Sequence, residues 1–401
     1  MSEWIDDKIK EIADRAAEKG LCAHCLGRGV AKAGTGMSNE ERGMELADIL
    51  GKDLSSTCWL CKNIFNNVPR YAQAVADALF TVESDNFLVG CRVEPEIIER
   101  ERLLWEEIGT ELAESIKSEL NREIGKAVLP LVDRAVEFRN PQVVAVVDTR
   151  FASVELDVAP LYIYGRYLKL SREIPQTVWP CRSCRGKGCP CCGGTGKMYS
   201  TSVQEQIGDP AKELVDASEH LFHGMGREDI DALMLGNGRP FVLELKQPRI
   251  RDIDLDELER IINCSELVQV QGLRIADRSE VAAIKAATPN KEYRAVVRVE
   301  GKVNKERVNE VAKSLANLYI DQRTPTRVSH RRADLVRRRR IISAEIEEVR
   351  DDTVVLRLET EAGTYVKEFI SGDGGRTVPN LSDALGVPCR VETLDVIGIK
   401  D

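Results

Sequence analysis

Apolar residues near the start of the chain recur every three or four positions. Ile5, Ile9, Ile12 and Ala16 would line one face of a helix, and Gly20 would end it. This first helix is predicted over residues 4–19. The same pattern predicts further helices at residues 44–50, 94–120, 202–221, 255–262, 280–287, 304–319 and 381–385.

Runs that alternate, or that are rich in β-branched residues, predict strands. They lie at residues 87–90, 143–148, 153–158, 241–245, 267–275, 341–349, 353–359, 365–370 and 389–399, and one more begins at Tyr293. The mixture of helices and strands, with several adjacent strands late in the chain, predicts an α+β fold with a mixed sheet.

The composition is that of a charge-rich globular protein, with 31% charged and 5% aromatic residues. No apolar run approaches the ~20 residues that cross a bilayer, so no membrane span is predicted. The beginning of the sequence is acidic and lacks an apolar signal core, which predicts a cytoplasmic protein. The net charge of −9 argues against a generic nucleic-acid binder.

Positive charge is concentrated in one stretch, which we call the arginine tract. Residues 323–340 contain eight arginines and one acid, Asp334, as an RNA-contacting surface requires. The candidate RNA contacts are the first four of these arginines, Arg323, Arg327, Arg331 and Arg332. Pro325 is expected to keep the segment of Arg323 and Arg327 out of helix and near a turn, which makes these two the better pair to test. Their replacement should then weaken binding without slowing the reaction. The alternative is an ordinary solvated surface.

Eight of the twelve cysteines form two sets of paired knuckles. The predicted metal ligands are Cys22, Cys25, Cys58 and Cys61 in the first set, and Cys181, Cys184, Cys189 and Cys192 in the second. Two Cys-x-x-Cys pairs suit a tetrahedral zinc site better than disulfides or iron–sulfur chemistry. His24 is predicted to be a neighbour rather than a ligand, because four thiolates complete the first site. The alternative is free thiols.

Motifs for other cofactors are missing from the sequence. No Gly-x-Gly-x-x-Gly follows a strand, no Walker-type loop is present, and the four histidines form no His-Glu-x-x-His. We therefore predict structural zinc and no organic cofactor. An enzyme that acts on RNA without an organic cofactor fits this prediction.

A glycine-marked turn at 226–231 reads Gly-Arg-Glu-Asp-Ile-Asp and leads through an Asn-Gly connection into the strand at 241–245. An aspartate beside an arginine keeps its charge, because the cation favours the ionised form. Such a carboxylate suits a nucleophile or a base. The alternative is a set of solvated acids near a turn.

The Gly-Arg-x-Asp motif resembles the catalytic motif of the pseudouridine synthases. The run from Gly226 to Leu245 resembles the archaeal and eukaryotic branch that modifies the TΨC arm of tRNA. The resemblance implies that Asp229 is the catalytic residue and that tRNA is the substrate. It extends to Lys-Glu-Tyr-Arg-Ala-Val-Val at 291–297, and to Gly-Thr-Tyr-Val-Lys-Glu-Phe-Ile at 363–370. The resemblance implies that Tyr293 stacks on the target base, that Tyr365 is placed against the substrate and that Lys367 pairs with Asp229. With Arg227, a further candidate for pairing with Asp229, these are the predicted substrate-binding residues.

Aromatic and basic residues alternate at 162–172, where Tyr164, Arg166 and Lys169 are candidate RNA contacts. With the helices and strands before it, this region resembles a THUMP-type RNA-binding module. The alternative is an ordinary strand with snorkelling side chains.

Four parts are predicted: an N-terminal zinc module (1–68), a THUMP-like module (69–175), a Cys-rich linker (176–200) and a pseudouridine synthase domain (201–401). The predicted activity is isomerisation of uridine to pseudouridine at position 54, 55 or both of the TΨC loop. A non-catalytic, zinc-containing tRNA-binding or assembly factor is the alternative. Another THUMP-bearing RNA enzyme, such as a methyltransferase or sulfurtransferase, is disfavoured by the missing cofactor loops.

Overall fold

A computed structural model describes residues 4–301, 304–330 and 333–400. Arg331 and Arg332, two of the predicted RNA contacts, lie outside the described residues. The chain forms two compact units. Unit 1 contains Met1–Pro160 with Gln247–Arg251, and unit 2 contains Leu161–Lys246 with Asp252–Asp401.

Unit 1 contains six helices among its described residues: α1 Asp7–Ala17, α2 Ala23–Arg28, α3 Asn39–Leu50, α4 Val68–Leu79, α5 Pro95–Ile108 and α6 Ile116–Val128. The apolar periodicity that predicted α1 buries Ile9, Ile12 and Ala16. Asp6 caps this helix by accepting a hydrogen bond from the Ile9 amide at 2.8 Å. The single helix predicted over 94–120 is wrong, because α5 ends at Gly109, whose φ of 81° is left-handed.

The sheet of unit 1 has four strands: β1 Asn86–Arg92, β2 Ala135–Val136, β3 Val143–Asp148 and β4 Ser153–Val158. Their order is β2-β1-β3-β4, and only β3 and β4 pair antiparallel. One buried cluster runs from Ile9 to Val158 and includes Cys25, Cys58 and Cys61. The two modules predicted for 1–68 and 69–175 therefore share a core.

Unit 2 contains helices α7 Val203–Leu214, α8 Leu255–Asn263, α9 Arg278–Ala286, α10 Lys305–Leu315, α11 Val366–Ser371 and α12 Leu381–Leu385. Its strands are β5 Leu161–Lys169, β6 Glu219–Gly224, β7 Leu233–Lys246, β8 Val268–Ala276, β9 Asn290–Val299, β10 Leu318–Arg323, β11 Val336–Arg350, β12 Thr353–Thr360, β13 Thr377–Val378 and β14 Cys389–Lys400.

These strands form one ten-stranded sheet in the order β13-β10-β11-β12-β9-β14-β7-β5-β8, with β6 paired to β7. The contact between β14 and β7 is parallel and the other pairings are antiparallel, so the predicted mixed sheet and α+β fold are confirmed. Strand β5 pairs with β7 and β8. Its assignment to the THUMP-like module was therefore wrong.

Three other element predictions differ from the structure. The strand predicted at 365–370 is helix α11, so Lys367 lies on a helix. The helix predicted over 202–221 ends at Leu214 and is followed by β6, which pairs with β7. The helix predicted over 304–319 ends at Leu315, since Asn317 has a left-handed φ of 59° and turns the chain into β10. Among the described residues, none of the helices has the length and apolar character needed to cross a membrane.

Candidate active site and metal centres

The loop that carries Asp229 joins β6 to β7, and β7 lies between β14 and β5 in the large sheet. Its first glycine, Gly226, has a φ of 76°. A Cβ there would lie 3.2 Å from Arg239 Nη1 and 3.3 Å from Lys291 Nζ, so this position favours glycine on two grounds.

A buried ion pair anchors this loop from below. Arg239 Nε donates to Glu228 Oε2 at 2.8 Å, and each side chain is 1% exposed. The Tyr167 hydroxyl lies 2.8 Å from the same carboxylate oxygen, and Arg239 Nη1 donates to the Met225 carbonyl. Gln176 donates to the Gly226 carbonyl at 3.0 Å. Glu228 is thus held in the interior, while the side chain of its neighbour Asp229 stays 42% exposed.

Asp229 lines a pocket of about 810 Å³. Strands β9 and β14, the turn before α11, and the Cys-rich segment contribute to the same pocket. Among its lining residues are Trp179, Tyr199, Arg227, Asp229, Asp231, Lys291, Tyr293, Arg327, Tyr365 and Lys367. All five predicted catalytic and substrate-binding residues thus lie together, although they are spread over 140 positions of sequence.

Two cations, Arg327 and Lys367, approach Asp229. Arg327 Nη1 lies 3.3 Å from Asp229 Oδ2, and Lys367 Nζ lies 3.7 Å from the same oxygen. Lys367 is closer to Asp231, at 2.8 Å. Lys367 thus lies within ion-pair distance of Asp229, as the resemblance implies, whereas Arg227, the further candidate, forms no ion pair with Asp229. Arg327, predicted only as an RNA contact, takes that place.

The charges around Asp229 are held by further contacts. Arg327 Nε donates to Glu368 Oε1 at 2.7 Å, and the Glu368 side chain is 7% exposed. Burial is the largest single influence on the pKa of Arg327 and lowers it, but the hydrogen bonds and charges of Glu368 and Asp229 together leave that pKa raised. Partial burial raises the pKa of Asp231, but the hydrogen bond and charge of Lys367, together with the charge of Arg327, leave it below its ordinary value. Both groups are therefore charged near neutral pH.

Strand β9 places two residues on the pocket side. Lys291 and Tyr293 are two positions apart, and such residues share one face of a strand. Burial raises the pKa of Tyr293 to about 12, so its phenol stays neutral. Burial, assisted by the nearby Arg239 charge, lowers the pKa of Lys291 to about 8. Lys291 was missed as a site residue, although its spacing from Tyr293 could have revealed it.

Tyr365 precedes the first residue of α11 and is fixed through its backbone. The buried Gln322 of β10 accepts from the Tyr365 amide at 2.9 Å and donates to its carbonyl at 3.0 Å. The ring position therefore depends on the register of β10.

Arg227 contacts Trp179 rather than Asp229. Its guanidinium lies 5.0 Å from the ring centre of Trp179, and it forms no ion pair with any residue that the structure describes. Trp179 contacts Tyr199 edge-on, with centroids 5.7 Å apart. Sequence reasoning missed both aromatic residues, which flank the second cysteine set.

The three RNA contacts predicted on β5 have different environments. Lys169 is fully buried, and its ammonium donates to the carbonyls of Ser171, Ile174 and Ile230. Its prediction as an RNA contact is wrong, since these bonds and the burial keep it from phosphate. Arg166 is half-buried and bonds the Asn237 carbonyl at 2.6 Å, and Tyr164 stacks with Arg274. Their contact with RNA stays a prediction.

The described part of the arginine tract is divided between paired and exposed side chains. Arg323 Nη2 lies 2.7 Å from Asp334, and Arg327 is held by Glu368. Both arginines are therefore paired with acids, and their contact with RNA stays a prediction. On β11, Arg338 and Arg340 stack on the half-exposed Tyr319 of β10, at 4.6 and 5.8 Å from its ring centre.

The first cysteine set, in unit 1, has the geometry of a metal site. The ligand atoms of Cys22, Cys25, Cys58 and Cys61 all lie within 4.8 Å of one another. Sulfurs at ~2.3 Å from a tetrahedral zinc would be about 3.8 Å apart, and Cys22 and Cys61 are 3.6 Å apart. His24 instead bonds Glu119 at 2.9 Å and stacks on Phe65, as expected for a neighbour.

The second set, in unit 2, has the same geometry. Cys181 and Cys184 lie 3.9 Å from Cys189 and Cys192 respectively, and Cys189 and Cys192 are 3.7 Å apart. The amides of Cys189 and Gly196 each donate to the Cys192 sulfur at 3.2 Å, which favours a thiolate. Both cysteine groups fit a structural metal ion.

Two family models match the chain. Residues 162–400 match the family model "Pus10, C-terminal", and residues 71–148 match "Pus10 THUMP domain, archaeal". A protein of Methanopyrus kandleri named tRNA pseudouridine synthase Pus10 is 42% identical over 98% of both chains. Its namesake in Methanothrix thermoacetophila is 41% identical over 94% of this chain and 91% of its own.

Among solved structures, a chain of a Cbf5-Nop10-Gar1 complex shares 20% identity over 47% of this chain and 43% of its own, with a TM-score of 0.31. This likeness is too weak to carry an argument. The family models and the near full-length relatives show that this chain belongs to the Pus10 family, whose curated members are named tRNA pseudouridine synthases.

Proposed function

We propose that this protein isomerises uridine to pseudouridine in tRNA, with Asp229 as the catalytic residue. The observation that carries this proposal is the position of Asp229. It lies in a pocket between two cations, Arg327 and Lys367, and two tyrosines, Tyr293 and Tyr365, line the same pocket. Family membership supports the reaction and the class of substrate.

The reaction breaks the glycosidic bond, turns the base and rejoins it to the sugar through carbon. The target base must leave its stack, which costs a few kcal/mol. Stacking on Tyr293 and Tyr365 would recover part of this cost, at ~1–3 kcal/mol per base. Asp229 would attack the base, attack the sugar or remove a proton, and Arg327 and Lys367 lie close enough to offset its negative charge in each of these roles.

The target we propose is position 54, 55 or both of the TΨC loop. This choice rests on the resemblance of residues 226–245 to the branch that modifies the TΨC arm. The residues proposed to meet phosphate are Arg166 with Tyr164 on β5, and the exposed part of the arginine tract. The THUMP domain of unit 1 supports RNA binding as a further contact. We also propose zinc in both cysteine groups and a cytoplasmic location.

The test is to incubate the purified protein with an unmodified tRNA transcript, without added cofactor, and to map pseudouridine by carbodiimide treatment. Asp229→Ala should lower the single-turnover rate by at least ~10²–10⁴-fold. It should keep tRNA affinity within a few-fold, because it removes no positive charge from the pocket. Asp231→Ala is the matched control, since it removes an acid two residues away.

If Asp229→Ala stays active and Asp231→Ala does not, the catalytic assignment moves to Asp231. If the wild type forms no pseudouridine on a transcript that it binds, the proposed reaction is wrong and the non-catalytic alternative is favoured. Pseudouridine at a uridine outside the TΨC loop would overturn the proposed target alone.

A further inference from the structure

The second cysteine set lies at the edge of the active-site pocket. A short hairpin carries it. Pro180 pairs with Lys197, the Cys181 amide donates to the Gly196 carbonyl at 2.6 Å, and the Met198 amide donates to the Trp179 carbonyl at 2.9 Å. Trp179 and Tyr199 are the residues at the open end of this hairpin, and both line the pocket with Asp229.

The hairpin is fixed at both ends. Four sulfurs with tetrahedral spacing close its tip. At its base, Lys197 forms an ion pair with Glu205, which Ser202 also bonds at 2.7 Å at the start of α7. The segment that carries the aromatic pair is therefore held at two separate places.

The pair is next to an available positive charge. Arg227 lies over the Trp179 ring at 5.0 Å and is exposed, and no described acid forms an ion pair with it. Two aromatic rings and an unpaired guanidinium beside a pocket are the groups that bind a nucleobase and its phosphate. The proposed reaction uses Tyr293 and Tyr365, so this second aromatic pair is left without a role.

We propose that Trp179, Tyr199 and Arg227 form a second nucleobase subsite, which binds a base of the RNA substrate next to the target uridine. Trp179 and Tyr199 supply the stacking surface, and Arg227 meets the flanking phosphate or the base edge. The cysteine hairpin is a positioning element, because it touches no substrate and sets the place of the two rings. The proposal rests on the proposed function, since it needs RNA in this pocket.

The test combines protein variants with transcripts that lack one base. The variants are Trp179→Ala, Trp179→Phe, Tyr199→Ala and, as control, Met198→Ala, an exposed residue of the same hairpin that does not line this pocket. Transcripts carry a single abasic site at each position flanking the target. Dissociation constants, single-turnover rates and metal content are measured for each combination.

Trp179→Ala and Tyr199→Ala should each weaken tRNA binding about ten-fold, the loss expected for one stacked base. Trp179→Phe should restore most of it, Met198→Ala should change nothing, and all four should keep their metal. An abasic site at one flanking position should weaken tRNA binding by the wild type by a similar factor. It should hardly change binding by Trp179→Ala, because the missing base and the missing ring remove the same contact.

Cys184→Ser should lose one metal ion and weaken binding by a similar factor. Combining it with Trp179→Ala should add little. The proposal is overturned if Trp179→Ala and Tyr199→Ala bind tRNA as tightly as the wild type does. It is also overturned if every abasic site weakens tRNA binding equally for the wild type and for Trp179→Ala. In both cases pseudouridine formation by the wild type would leave the proposed function intact, whereas its absence would overturn that function first.

Discussion

At the residue scale, Asp229 is held by a cation that the sequence assigned to another role. Arg327 Nη1 is 3.3 Å from Asp229, while its Nε is bonded to the buried Glu368. A guanidinium can bind two carboxylates at once, because it presents five donors in a rigid plane. Arg327 therefore fixes the position of Asp229 relative to α11.

Arg327→Gln should slow catalysis more than it weakens binding. The change removes the closer cation from Asp229 and leaves Glu368 unpaired. We expect a loss of about 10²-fold in the single-turnover rate, with tRNA affinity lowered only a few-fold. This reverses the sequence-based expectation of weaker binding at a normal rate. Arg323→Gln is the control, since Arg323 pairs with Asp334 outside the pocket. Equal effects of the two variants would contradict the role of Arg327.

Lys291 predicts a pH dependence of RNA binding. Its pKa is lowered to about 8 by burial, so its charge is present below that pH and lost above it. Wild-type affinity for tRNA should fall a few-fold between about pH 7 and pH 9 at constant ionic strength. Lys291→Met should bind more weakly at pH 7 and should lack this decrease. Lys169 also has a pKa lowered to about 8. Because it is unchanged in Lys291→Met, any contribution that it makes would remain in that variant. A decrease that persists in Lys291→Met would assign it to another group.

At the element scale, the alternation of β11 sorts its arginines. Arg338 and Arg340 stack on Tyr319, whereas Arg339 lies beside Gly363 at the pocket and Arg337 donates to Thr324 at 3.0 Å. Consecutive side chains of a strand point to opposite faces. A run of four arginines therefore forms two surfaces.

We expect the Tyr319 face to bind phosphate outside the pocket. Replacing Arg338 and Arg340 by Gln should weaken tRNA binding and reduce its salt dependence. With fewer phosphate contacts, binding releases fewer counterions. The rate on saturating substrate should change little. The control replaces Arg298 and Arg350, which are exposed as Arg338 and Arg340 are but are paired with acids. Arg350 lies at the other end of the same strand, about 30 Å away. An unchanged salt slope in the first variant would make this face an ordinary charged surface.

At the scale of the whole molecule, the two cysteine groups serve different units. Cys25, Cys58 and Cys61 are buried within the single core of unit 1, whereas Cys184, Cys189 and Cys192 of unit 2 are only partly buried on a hairpin. A metal ion in the first group therefore holds core elements together, and one in the second group holds a local segment.

About two zinc ions per chain should copurify, as elemental analysis will show. Cys58→Ser should lose one ion and destabilise unit 1 by several kcal/mol, because binding of a structural zinc contributes directly to folding. Cys184→Ser should lose the other ion with a much smaller shift in thermal unfolding. A single ion that Cys184→Ser retains would leave the second group without a metal.

The fold class, most helices and strands, both cysteine groups and the motif around Asp229 could be predicted from the amino-acid sequence alone. These features depend on local periodicity, turn residues and short spacings, which are written in consecutive positions. The sequence also indicated Tyr293, Tyr365 and Lys367, but only through their resemblance to a family.

Which of these residues lie next to one another depends on the tertiary structure. Helix α11 replaced a predicted strand because its apolar residues pack on a core built from distant strands. The left-handed turn at Gly109 ended a helix that its charged pattern would have continued. Pairing of β5 with β7 and β8 buried Lys169, and the turn after β10 brought Arg327 to Asp229 across 98 positions of sequence. Such contacts arise from the pairing of strands that are distant in sequence, and they cannot be predicted from the local propensities of the residues.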